Sequence, residues 1–228
     1  MQRFKMVLFM IAVSSVFGSA VTSIHLLSQN IMKENKAFLE QKSLVELFDL
    51  GKVDELSKAE MNTLIQQQID ATETCIDPET NWEFTIIKAY KDAEKKELKA
   101  YGFEFEGLGF WAPIKGKLAV TPDLSKTVGI KITQQQETPG LGGRIEEEVF
   151  TTSFTKGLTI TPPKSGKTFL YMGAPELQPQ QGSPKFGRKF DAITGATQTS
   201  MSMERMLNEF VARFVRAMNN RKEAENGI

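Results

Sequence analysis

The sequence predicts an α+β protein: an N-terminal transmembrane helix followed by a single domain in which a mostly antiparallel sheet is flanked by helices. Three observations carry this. An apolar segment, free of charged residues apart from His25 if that is protonated, runs from Met6 to about Leu27. From Trp82 onward, apolar residues recur at every second position, the period of strands. Leu207, Phe210, Val211, Phe214, Val215 and Met218 recur at three- and four-residue steps, the apolar stripe of a helix from about Met201 to Met218.

Residues 1–29 read as a membrane anchor, because roughly 20 helical residues cross a hydrocarbon core. Arg3 and Lys5 precede the apolar run, which keeps the N-terminus cytoplasmic and sends the rest across; Lys33, Lys36 and Lys42 dilute that bias. A cleaved signal peptide is the competing reading, since Val16 to Ala20 offers small residues near a cut site. The retained anchor is favoured because the apolar run continues past that point. Either way the domain lies outside the cytoplasm. No acidic residue interrupts the segment, which argues against an ion path through it.

Residues 30–76 read as a helical stalk or linker, helical from Asn30 to about Ala71. Leu39, Leu44, Val45, Leu47 and Phe48 make a partial stripe, and Gly51 punctuates it. Ser57 and Glu60 form a capping-box pattern opening a helix through Met61, Leu64, Ile65 and Ile69. Such a hairpin packs on the domain or offers a face to partner proteins.

Strand patterns follow. Trp82, Phe84 and Ile86 alternate, as do Tyr101, Phe103 and Phe105; Ile114, Leu118 and Val120 follow, then Val128, Ile130 and Ile132. The charged stretch from Lys91 to Lys99 is a solvated turn. Arg144 to Phe154 reads as a short helix with Ile145, Val149 and Phe154 inward. Thr159 to Lys167 reads as a loop, Thr168 to Met172 as a strand, and Pro175 to Gly187 as a polar linker. Asn219 to Ile228 is polar and expected to fray.

Composition excludes several chemistries. Lys plus Arg and Asp plus Glu are equal at 28 each, so no basic footprint points to nucleic acid. One cysteine, Cys75, rules out an internal disulfide, a Cys-ligated iron–sulfur cluster or a Cys-rich zinc site within the chain. One histidine, His25, leaves the domain without an imidazole for a Ser-His-Asp or Cys-His arrangement.

Two stretches carry chemistry. Asp191-Ala192-Ile193-Thr194-Gly195-Ala196-Thr197 runs through Gln198, Thr199 and Ser200 into the last helix. Its hydroxyl residues can cap that helix, Gly195 and Ala196 allow close approach, and a helix start favours an anion such as phosphate. A capped turn and an anion site are both open on composition. Upstream, Glu137-Thr138-Pro139-Gly140-Leu141-Gly142-Gly143 is a turn-forming loop that could also admit a flat ring.

The first stretch resembles the flavinylation motif, Asp-x-x-Ser/Thr-Gly-Ala-Thr, of the membrane FMN-binding proteins. These include the covalent FMN-binding subunits of the sodium-translocating NADH:quinone reductase and of the related Rnf electron-transport complex. The second is similar to the Glu-Thr-Pro-Gly-Leu-Gly segment of the same family. With Gly107-Leu108-Gly109-Phe110-Trp111, the resemblance extends from about Asp77 to Ala217, and it makes residues 77–228 a covalent FMN-binding domain. Thr194 stands where Ser is usual and keeps the hydroxyl.

The resemblance implies that Thr197 carries FMN through a phosphoester bond, installed by a flavin transferase that uses FAD as the FMN donor. It implies that Asp191, Thr194, Gly195 and Ala196 shape the phosphate end, and that Glu137, Thr138, Gly140, Leu141 and Gly142 bracket the ring. Glu137 would orient its loop through backbone N–H groups rather than touch the ring. No acid/base catalyst and no metal site are expected. The chain would be one electron-transfer station of an ion-translocating NADH:quinone oxidoreductase, single-pass in a bacterial inner membrane with its domain on the periplasmic side. The Rnf ferredoxin:NAD complex is the alternative, and Trp111 tilts toward the first. A non-redox scaffolding module is the reading from a different class.

Overall fold

The computed structural model describes residues 2–162 and 168–227. Two compact units make up the chain, Met1–Gln41 and Lys42–Ile228. The first is helical. Helix α1 spans Gln2–Leu47, and among the described residues it is the one helix long and apolar enough to cross a membrane. Its apolar side chains are bare: Phe9, Phe17 and Ile24 are each 68% exposed.

In the second unit, five strands form an antiparallel meander in the order β1-β2-β3-β4-β5. These are β1 Ile69–Ile76, β2 Glu83–Tyr90, β3 Leu98–Leu108, β4 Pro113–Val120 and β5 Thr127–Gln134. The alternation in the sequence sets the two faces. Phe84, Ile86, Phe103, Phe105, Ile114, Leu118, Val120, Ile130 and Ile132 enter the larger core. Ile87, Ala89, Ala100 and Ala119 point the other way, into a smaller cluster with Leu47 and Phe48 where α1 ends. Phe48 lies over Gly102, where a Cβ would come within 2.6 Å of its ring.

Helix α2, Lys58–Gln68, opens on the capping box read from the sequence, with the Ser57 side chain accepting from the Glu60 amide. It ends earlier than its apolar pattern suggests. Ile69 to Ile76 is an edge strand paired with β2, not a continuation of helix. Only Ile69 and Cys75 of this strand are buried, so its alternation is faint. Burial pushes the Cys75 thiol up to about 11, leaving a packed and unreactive group.

The larger core is closed by helix α3, Glu148–Thr155, helix α4, Thr197–Asn226, and a two-stranded parallel sheet of β6 Tyr171–Gly173 and β7 Lys189–Asp191. Phe214 of α4 stacks on Phe103 at 4.1 Å between ring centroids and meets Phe84 edge-on at 5.5 Å. Phe150, Phe154 and Phe190 form a second aromatic group. Strand β6 is held from the side by α4, and β7 by α3, where the Asp191 amide donates to Ser153. The Asn208 carboxamide accepts from the Phe169 and Leu170 amides and donates to the Leu170 carbonyl, while Glu204 accepts from the Met172 amide. The expected strand at Thr168 to Met172 is thus shifted to Tyr171–Gly173. The expected loop from Thr159 to Lys167 falls partly on residues 163–167, outside the described residues. The end expected to fray is helical as far as Asn226.

Asp77, fully buried in the β1–β2 turn, ties that turn to α4. Arg216 donates to it through two nitrogens at 2.9 and 2.8 Å, and Thr80 donates at 2.6 Å. Burial pushes the Asp77 carboxyl up, but the hydrogen bonds from Arg216, Thr80 and the Glu79 amide outweigh it and leave the carboxyl below the usual carboxylate range. A lowered folded value means stability that is full above the unfolded value near 4 and lost as pH falls through the folded one. Asp77→Asn is therefore expected to lose roughly 1–3 kcal/mol at pH 7 and to show a shallower fall in thermal stability than the wild type between neutral and acid pH, as followed by circular dichroism melts.

Candidate functional site

Strand β7 delivers the chain into the turn that precedes α4. Asp191 is half-buried; its carboxylate accepts from Lys189 at 2.7 Å and its amide donates to Ser153 at 3.1 Å. The Ala192 amide donates to the Gly173 carbonyl, fixing the exit from the sheet. Ile193 is buried and anchors the turn. Gly195 takes φ +81°, a conformation that disfavours any residue with a Cβ.

Thr and Ser side chains do not cap α4 in the way their composition suggests. The N-cap residue is Ala196, with no side-chain cap, and Thr197 is the first residue of the helix. Ser200 reaches backward instead: its Oγ accepts from the Ile193 amide at 3.0 Å and donates to the Ala196 carbonyl at 3.0 Å. Thr199 is likewise occupied, donating to Glu137 Oε2 at 2.7 Å. Thr194 and Thr197 are exposed and, among the described residues, make no side-chain hydrogen bond. The first-turn amides of α4 carry the positive end of a helix of 30 residues.

Opposite this turn stands the glycine loop. The Thr138 carbonyl accepts from the Leu141 and Gly143 amides, and Gly140 takes φ +74°. A short 3-10 turn, Gly142–Glu146, then leads to α3. Leu141 is 44% exposed and lies beside Gly195, where a Cβ would come within 3.2 Å of its side chain. The two sequence motifs therefore meet at Leu141 and Gly195. Thr138 and Gly140 are exposed on the loop and do not touch the Thr197 turn through any hydrogen bond among the described residues.

The third wall is the β3–β4 hairpin. Phe110 and Trp111 are 52% and 67% exposed and pack edge-on at 4.9 Å. Glu137 joins all three segments. Only 4% exposed, it accepts from the Phe110 and Trp111 amides through Oε1 at 2.9 and 3.0 Å, and from Thr199 through Oε2. Gly109 and Gly142 make room for it: a Cβ at Gly109 would lie 2.5 Å from Oε1, and one at Gly142 would lie 2.8 Å from Oε2 and 2.5 Å from the Thr199 hydroxyl oxygen. Gly142→Ala is therefore expected to break the Glu137–Thr199 bond and to destabilise the domain by roughly 1–3 kcal/mol, read as a lower thermal midpoint.

Sequence reasoning placed no weight on Thr199, Ser200 or Ser153, which hold the turn from beneath. The signal available was position alone, since Thr199 and Ser200 sit in the same first helical turn as Thr197. The basic residues before Asp191 already have partners within the chain. Arg188 donates to the Thr161 carbonyl at 2.9 Å and to the Thr159 and Phe169 carbonyls, Lys185 lies over Tyr171, and Lys189 pairs with Asp191. Among the described residues no group of three or more His, Cys, Asp or Glu side chains could hold a metal ion.

Residues 109–212 match the FMN-binding domain family. Among characterised proteins, the chain is similar to NqrC, a component of the Na(+)-translocating NADH-quinone reductase. It is 33% identical over 102 residues to the Chlamydia trachomatis protein, covering 41% of this chain and 32% of the relative. It is 34% identical over 96 residues to the Pasteurella multocida protein, covering 42% and 34%. The matched stretch thus spans about a third of these relatives' length. By fold, it resembles the crystal structure of NqrC from Shewanella oneidensis, with TM-score 0.60, 21% identity, and coverage of 80% of this chain and 95% of that one. The corresponding reductase component from Parabacteroides distasonis gives TM-score 0.64 at 20% identity, covering 82% and 94%. Residues 109–212 thus match the FMN-binding domain family, and by sequence and by fold the chain resembles NqrC of the sodium-translocating NADH-quinone reductase.

Proposed function

We propose that this protein is a membrane-anchored electron-transfer subunit that carries FMN through a phosphoester bond to Thr197, as one station of an ion-translocating NADH:quinone oxidoreductase. The observation that carries the proposal is the selection among hydroxyls at the start of α4. Thr199 and Ser200 are buried and committed to Glu137 and Ala196, whereas Thr197 is exposed, unbonded among the described residues and first in the helix. A phosphate on its oxygen would lie at the helix N-terminus, where amides and macrodipole favour negative charge.

The residues present suit a flavin. Gly195 presents no side chain, and Leu141, Phe110 and Trp111 offer exposed apolar and aromatic surface around the turn. An unaided threonine hydroxyl is a poor nucleophile, and no acid or base hydrogen-bonds to Thr197 among the described residues. The chain is therefore the acceptor in attachment, and a flavin transferase is the catalyst. Thr197 Oγ forms a bond to the FMN phosphorus of FAD, the pyrophosphate P–O bond breaks with its electrons leaving on AMP, and the hydroxyl proton passes to the transferase. Once attached, the flavin supplies the electron-accepting and electron-donating ring, and the protein positions it.

Helix α1 serves as a single-pass anchor in a bacterial inner membrane, with Arg3 and Lys5 on the cytoplasmic side and the domain on the outer side. A covalent link suits that side, where a dissociated cofactor is not replaced. Partners are the other components of the membrane complex. Co-expression with a flavin transferase, followed by denaturing electrophoresis, is expected to give a fluorescent flavin band that is absent without the transferase. A dark band under both conditions would favour the non-redox scaffolding reading.

A further inference from the structure

Glu137 is a buried carboxylate whose charge is met, among the described residues, by hydrogen-bond donors rather than by a cation. A buried charge without a counter-ion is costly unless donors are fixed around it. Here each of the three donors belongs to a segment facing the Thr197 turn or forming it. Two are the amides of Phe110 and Trp111 in the β3–β4 hairpin, and the third is the Thr199 hydroxyl in the first turn of α4, 62 residues along the chain. Both carboxylate oxygens are in use, and Gly109 and Gly142 close off the space around them. Neither glycine leaves room for a side chain beside the carboxylate, and at 4% exposure with both oxygens bonded Glu137 serves the packing of these segments.

We propose that Glu137 and Thr199 form a positioning latch for flavin attachment: one buried hydrogen bond holds the Thr197 turn in register with the aromatic hairpin and the glycine loop. This rests on the reading of Thr197 as the attachment residue. Thr199 lies two positions beyond Thr197 in the same helical turn, so its hydroxyl fixes the rotation of α4 and with it the direction in which Thr197 faces. The Phe110 and Trp111 amides, held by the other carboxylate oxygen, fix the apolar wall against which a ring would lie. Losing Thr199 Oγ strands Glu137 Oε2 and frees the helix start from the loop. Losing the Glu137 carboxylate frees both the helix start and the hairpin.

The latch is tested on the full chain in detergent. In the flavin-free wild type, hydrogen exchange should find the Phe110 and Trp111 amides protected, although both residues are exposed at the surface. In Glu137→Ala their exchange should be at least tenfold faster, and in Glu137→Gln, whose amide oxygen still accepts, close to the wild-type rate. With FAD and a flavin transferase, Thr199→Val should incorporate flavin at least tenfold more slowly per folded molecule, with the folded fraction taken from near-ultraviolet circular dichroism. Thr199→Ser should restore the rate to within about twofold. Unprotected Phe110 and Trp111 amides in the wild type would overturn the latch, as would a wild-type incorporation rate in Thr199→Val. If the wild type takes no flavin at all, the attachment reading fails, and the exchange measurement still decides whether the latch exists.

Discussion

Thr197→Ala is expected to abolish covalent flavin completely, while Thr197→Ser keeps it. The phosphoester needs one hydroxyl at the first position of α4, and serine supplies it without the methyl group. Neighbouring hydroxyls do not substitute. Thr199 is 3% exposed and Ser200 fully buried, each with its oxygen engaged. Thr194 is exposed, but it precedes Gly195 and lies outside the helix whose first-turn amides favour the phosphate. Because the Thr197 side chain is exposed and bonds to nothing among the described residues, the alanine variant should fold as the wild type does. In-gel flavin fluorescence of both variants, with thermal melts alongside, separates loss of the attachment point from loss of the fold.

The second large effect concerns the core. Phe214→Ala is expected to cost about 3–5 kcal/mol, since it removes a fully buried ring and leaves a cavity. The ring also carries aromatic pairings to Phe103 and Phe84, which add to the area it buries. Its position makes the loss more than local. Phe214 joins α4 to the middle of the sheet, and α4 carries Thr197 at one end and Arg216, the partner of Asp77, further along. Urea unfolding followed by circular dichroism measures the loss. Phe214→Leu, which refills part of the space, should recover roughly half of it.

The strands that face the larger core were legible because alternate large apolar residues, such as Phe84 and Ile86, Phe103 and Phe105, or Ile130 and Ile132, enter it. Strand β1 was not. As an edge strand it buries only Ile69 and Cys75, its register breaks between Asp70 and Glu73, and the preceding helical stripe runs straight into it. Strands β6 and β7 have three residues each, too few for a period; β6 is held by Asn208 and Glu204 on a distant helix, and β7 pairs with β6. The last helix was read one turn too short at its start. Thr197, Thr199 and Ser200 carry hydroxyls that composition assigns to caps, whereas in the fold they lie inside the helix, where Ser200 reaches back to the turn and Thr199 across to Glu137.

The site was legible in the same uneven way. The resemblance of the two motifs drew attention to Thr197, Gly195 and the glycine loop, and the exposed hydroxyl, the positive φ and the tight turn found there are local properties. The bond from Glu137 to Thr199 spans 62 residues, and the room for it depends on Gly142 in the same loop as Glu137 and on Gly109 in the β3–β4 hairpin. No local pattern encodes that convergence; only the meander of the sheet brings these loops to one end.

Peptide mapping by mass spectrometry of the chain co-expressed with a flavin transferase tests the central claim most directly. The expected result is one added flavin mononucleotide, localised by fragmentation to Thr197, with Thr194, Thr199 and Ser200 unmodified. A flavin found on any of those three residues, or a chain that leaves the membrane fraction with no added mass, would contradict it.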